Sequence, residues 1–259
     1  MILLKDQNAS ATGNRFENAD QLPAKCMVLC GMNPPFTTAE FLAVFAAYNA
    51  AIWPFQIVAY GAGLLAVAAL WRRWLCRSRL ISAVLAVFWA CNGIGYHFFY
   101  FSSINPLARG FAVAFIFQAV LFAVSAISAK TLTFNIELNM RSWAGGALIF
   151  YAFLIYPILG MRAGHGLMAG PMFGVAPCPT TIFTIGLLLL ARGKWVPWLS
   201  IIPILWSLVG LAAALQLGIP EDFGLPVAGV LLAIMLALDG FKMRRDKQMT
   251  AASAGSLET

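Results

Sequence analysis

From Trp53 to Phe241 the chain is one apolar stretch after another, with approximate bounds 53–70, 80–102, 108–128, 143–161, 174–191, 196–217 and 224–241. Each holds about 18–23 residues, enough for a helix to cross a hydrocarbon core of about 30 Å. No polar segment after Phe36 is long enough to fold alone. In lipid every backbone polar group must find a partner within the protein, and a helix satisfies this within a single segment. The pattern predicts an all-α integral membrane protein, a seven-transmembrane-helix bundle. Composition agrees: 61% of residues are hydrophobic, 10% are charged and mean hydropathy is +0.81. A soluble domain is about half apolar and about a quarter charged.

The charged loops orient this bundle. One set of loops receives Arg72, Arg73, Arg77, Arg79, Lys130, Arg141, Arg192, Lys194, Lys242, Arg244, Arg245 and Lys247. The other, counted after Phe36, receives only Arg109 and Arg162, with Glu221 and Asp222. Cytoplasmic loops carry the excess of Lys and Arg, so the N-terminus is expected outside and the C-terminus inside. The net charge of +7 is therefore read as topology, and no nucleic-acid partner is expected; the lipid bilayer is. Three segments follow: a leader at 1–31, a seven-span domain at 32–241 and a basic cytoplasmic tail at 242–259. The leader is polar and aperiodic and reads either as a disordered tail or as an over-called start, with Met32 as the native first residue. Cys26 and Cys30 fall inside it. Five cysteines without framework spacing argue against a disulfide-built fold. Nothing in the sequence indicates the oligomeric state.

Local signals place two elements. Thr37 followed by Glu40 has capping-box spacing, and Phe41, Phe45 and Tyr48 then recur with helical period, as in a short interfacial helix. The stretch Pro171–Leu190 is less ordinary: a glycine-rich approach runs into Pro177-Cys178-Pro179-Thr180-Thr181 and then an unbroken apolar run. Proline is well tolerated in a first turn, so Pro177 and Pro179 are consistent with a helix start that buries Cys178 as a small residue. Alternatively, the helix N-terminus exposes the thiol and favours its thiolate.

With the orientation set, polar residues gather toward the outer ends of the spans: His97, Asn105 and Arg109 around spans two and three, His165 after span four, and Cys178, Thr180 and Thr181 at the start of span five. These seven are the candidate binding residues. Polar groups at membrane depth are costly and mark functional sites, though Asn and Gln also serve as interhelical hydrogen-bonding groups. His97, His165 and Cys178, with Glu221 or Asp222, are the available ligands for a soft transition metal, which would need about three or four that converge. Convergence requires spans two and five to be neighbours. No resident cofactor is otherwise expected, and the catalytic residues are undefined. No phosphate-binding loop, nucleophile elbow or His-Glu-x-x-His occurs, and two histidines are too few for a three-His zinc site or for several haems.

Several motifs resemble one family: Pro35-Phe36-Thr37-Thr38, Tyr48-Asn49 with Trp53-Pro54, Tyr96-His97, Ile104-Asn105-Pro106, Gly164-His165, and Phe173 through Thr184 around Pro177-Cys178-Pro179. Together they resemble the bacterial membrane family catalogued as domain of unknown function 6064, from about Met32 to Asp239. The resemblance implies a bacterial inner-membrane protein and carries no activity with it. On residue placement alone, a small-solute or ion permease with an outward-facing polar site is the first expectation. A membrane-embedded enzyme using Cys178 or a metal, and a non-catalytic sensor or partner subunit, are the alternatives.

Overall fold

The computed structural model describes residues 35–72, 76–128, 132–166 and 168–255. The leader, the Met32 start, Cys26, Cys30, Arg73 and Lys130 lie outside these residues. Residues 36–259 form one compact unit.

The expected capping box is present: the Thr37 N–H donates to Glu40 Oε2 at 2.7 Å, and the Glu40 N–H donates to Thr37 Oγ1 at 3.2 Å. It opens α1 (Thr38–Ala51), which buries Phe41, Phe45 and Tyr48 on one face. A break follows at Ile52–Pro54, where proline has no N–H with which to continue the ladder. Beyond it, α2 (Phe55–Trp71) departs at 87°. Next come α3 (Arg77–Ser103), α4 (Ala108–Ile127) and α5 (Met140–Arg162). They are followed by α6 (Pro177–Leu189), α7 (Val196–Leu217), a 3-10 turn at Pro220–Phe223 and α8 (Gly224–Gly255). Two short strands, β1 (Thr133–Phe134) and β2 (Ala191–Arg192), pair antiparallel with Phe134 opposite Ala191.

Every apolar stretch of the sequence therefore contains a helix. Five of these helical segments are long and apolar enough to cross a membrane, or six if the bent pair α1–α2 counts as one span. The stretch expected at 174–191 differs. Its helix has only 13 residues, about 20 Å at about 1.5 Å per residue, and residues 173–176 reach it as buried non-helical chain. The last helix, α8, runs unbroken past Lys242 to Gly255.

All 13 residues of α6 are buried, and it touches α3, α5, α7 and α8. Its ends explain how so short a helix survives without water. A helix leaves its first four N–H groups without intrahelical partners, but Pro177 and Pro179 have none to leave. The Thr180 N–H reaches the Ala176 carbonyl at 3.3 Å. At the other end, Arg141 Nε donates to the Leu189 carbonyl at 2.8 Å, and the Asn135 N–H donates to the Leu190 carbonyl at 3.0 Å. The prolines remove two of the donors that a first turn leaves unpaired, and the Ala176 N–H is taken by the Met172 carbonyl at 2.8 Å.

Small residues set the closest helix approach. A Cβ on Gly145 of α5 would lie 2.7 Å from the Gly186 carbonyl of α6, and a Cβ on Gly186 would lie 2.9 Å from the Gly145 carbonyl. In lipid, where helices gain little by leaving the solvent, such close backbone packing contributes much of the association. Spans two and five are neighbours, as a shared site requires. Trp89 Nε1 of α3 donates to Thr184 Oγ1 of α6 at 3.0 Å, and Asn92 Nδ2 donates to the Gly174 carbonyl at 3.2 Å and, longer, to Thr180 Oγ1 at 3.4 Å. From Cys91 to Tyr100 α3 widens into π-helical turns. Its buried positions there are 92–93 and 96–97, followed by Phe101, a spacing above the 3.6 of an α-helix.

Candidate functional site

Two consecutive carboxylates lie at the centre of the site. Gly218 ends α7 in the left-handed region at φ 65°, and the 3-10 turn that follows carries Glu221 and Asp222 back into the protein. Both side chains are fully buried. They stand just ahead of the N-terminus of α8, where a helix favours negative charge. Gly160 of α5 admits Glu221, since a Cβ there would meet Glu221 Oε1 at 2.9 Å.

Each carboxylate has a different partner. Tyr156 of α5 donates a short hydrogen bond to Asp222 Oδ1. His165, in the loop after α5, places Nδ1 2.8 Å from Glu221 Oε1. The His165 backbone N–H donates to the Gly160 carbonyl at 3.0 Å, which fixes the loop over the end of α5. Tyr151 donates to the Glu221 backbone carbonyl at 2.8 Å. Glu221 Oε2 and Asp222 Oδ2 have no hydrogen-bond partner. Beside Glu221 is a cavity of about 20 Å³, lined also by Tyr60, Tyr156 and Gly160. That is room for about one water. The cluster can hold a proton or a water, because Glu221 Oε2 is buried without a hydrogen bond beside that space.

Of the residues expected from sequence, two belong to this cluster. His165 binds Glu221, and Cys178 lies in the first turn of α6 beside the Asp222 carboxyl and the Trp206 indole. Neither contact of the thiol is a hydrogen bond of ordinary geometry, since Asp222 Oδ2 and Trp206 Nε1 remain unpartnered. At 7% exposure Cys178 is a buried small residue, not an open thiol.

His97 is elsewhere. Its ring is enclosed by Phe101, Phe111, Phe115 and Trp206, with centroids 4.6–6.0 Å away, and neither nitrogen has a partner. Trp206 touches both His97 and Cys178, so an indole stands against the two. Among the described residues, no group of three or more His, Cys, Asp and Glu side chains gathers closely enough to hold a metal. Asn105 instead accepts from the Leu107 N–H at 3.0 Å in the turn before α4, and Arg109 is exposed. Thr180 accepts from Asn92, while the buried Thr181 hydroxyl has no partner.

Two further buried amides bond to the main chain. Asn92 and Gln118 each donate to main-chain carbonyls, the latter to Leu199 at 2.9 Å. In the half nearer the acidic cluster, Asn49 donates to the Met168 and Gly170 carbonyls, both at 2.9 Å, and so holds the loop after His165.

A model of the Family of unknown function (DUF6064) matches residues 38–247. The chain belongs to that family. No curated protein and no solved structure matches it. In this DUF6064 chain the sequence alone offers Glu221 and Asp222 as loop charges and available ligands, without pairing them to Tyr156 or His165. The signal available was two acidic residues in succession between apolar stretches. Such a pair is costly at membrane depth unless it is held.

Proposed function

We propose that this protein is a seven-span bacterial inner-membrane protein, N-terminus out and C-terminus in. In this reading it is a permease that moves a small ion, or a solute together with a proton. Its outer binding site is built from Glu221, Asp222, His165 and Tyr156. The loop charges support the orientation, and the apolar helices support the bilayer. The buried pair of carboxylates carries the functional reading. A buried charge is normally fully paired, yet here Glu221 Oε2 and Asp222 Oδ2 are left without a hydrogen bond, and Glu221 borders space for one water. A site that binds and releases a proton or cation requires such unfilled acceptors.

Flux tests this directly. Purified protein in proteoliposomes with an internal pH dye is given proton, sodium or potassium gradients. Wild type is expected to pass protons or one of these cations. Glu221→Gln and Asp222→Asn are expected to abolish the flux while keeping monodisperse elution. Silence of wild type under every gradient, or undiminished flux in both variants, overturns the reading.

A further inference from the structure

The opposite end of the bundle carries a crevice of about 840 Å³ between the β2–α7 connection and the later part of α8. Four cationic side chains line it, Arg141, Arg192, Lys194 and Lys242, against one carboxylate, Asp239. Arg141 is nearly buried and is held by both the Leu189 carbonyl and Asp239, so it forms a fixed positive floor. Arg192 pairs with Glu137 at 3.2 Å, but both are exposed, and such pairs contribute only about 0–1 kcal/mol. Lys194 and Lys242 are exposed and form no ion pair among the described residues. The walls are apolar, including Val196 and Leu236, and exposed Trp198 and Phe241 stand close by in the chain.

An apolar-walled groove with a cationic mouth at one end of a helical bundle complements an amphiphilic anion. We propose that this crevice binds an anionic phospholipid, its phosphate among Lys194, Lys242 and Arg192 and its acyl chain along the apolar wall. The proposal rests on the bilayer reading above, with this end at the cytoplasmic leaflet, where anionic lipid meets basic pockets between helices. The cations alone would equally attract free phosphate; the apolar wall favours the lipid.

The test uses the full chain in neutral detergent and reads thermal melting, so it requires no transport. Phosphatidylglycerol, phosphatidylcholine with the same acyl chains, and inorganic phosphate are added separately. Phosphatidylglycerol at about ten times its dissociation constant is expected to raise the melting midpoint by about 3–6 °C. The other two are expected to leave it unchanged. Lys194→Ala with Lys242→Ala, both on exposed side chains, is expected to lose at least half of the shift, and Arg192→Ala part of it. Overturning results are no shift with phosphatidylglycerol, an equal shift with phosphatidylcholine, an equal shift with inorganic phosphate, or a full shift in the double variant. Loss of flux in the carboxylate variants leaves these results untouched, so the two proposals fail separately.

Discussion

Gly145 and Gly146 are adjacent in α5, and the fold gives them opposite roles. A methyl group on Gly145 would sit 2.7 Å from the Gly186 carbonyl and 3.0 Å from Leu190 Cγ, whereas one on Gly146 would meet nothing within 4 Å. Ordinary contact begins near 3.4 Å, so Gly145→Ala requires α5 and α6 to part by about 0.7 Å, the difference between 3.4 and 2.7. The obstructing atom is backbone and cannot rotate away. Overpacking of this kind costs about 1–3 kcal/mol. Gly146→Ala removes a flexible glycine from an exposed helix position and is expected to be neutral or to stabilise by up to about 1 kcal/mol. Unfolding of the purified protein in mixed micelles, titrated with a denaturing detergent and followed by tryptophan fluorescence, measures both. Adding Gly186→Ala to Gly145→Ala should cost less than Gly186→Ala alone, because the helices have already separated. Equal stability of the Gly145 and Gly146 variants would refute the close approach and, with it, the packing that seats α6 at the centre.

Removing the Tyr156 hydroxyl (Y156F) takes away the donor to Asp222 Oδ1 and is expected to destabilise by about 1–3 kcal/mol, the cost of leaving a buried acceptor unpaired; the same detergent titration reads it. Cys178 should react with a membrane-permeant maleimide far more slowly than Cys76, since the first is buried and the second exposed; equal rates would show that the start of α6 is open. With every other cysteine replaced, Cys76 should stay unlabelled by an impermeant reagent in intact spheroplasts and label after permeabilisation. Labelling from outside would reverse the proposed orientation.

Each helix was legible as an apolar run because helix formation in an apolar setting depends on composition along the chain. The start of α1 was legible because a capping box is local, with Thr37 and Glu40 only three residues apart. Span five was legible only in part. Composition does not distinguish a full crossing from a 13-residue helix approached by buried chain, since both are apolar. What helps the short helix to end is Arg141, which reaches the Leu189 carbonyl from 48 residues away, with the Asn135 N–H on the Leu190 carbonyl.

The site depended still more on tertiary structure. The sequence by itself determined that ionisable residues were few and that most stood near span ends. Which of them met was decided by packing across long separations: His165 with Glu221 over 56 residues, and Tyr156 with Asp222 over 66. Depth alone placed His97 level with Cys178, but depth is one coordinate. Trp206 from α7 came to stand against both residues. Hydrogen bonds and ring contacts act over a few ångströms in three dimensions, so a pattern read along one dimension names the participants without pairing them.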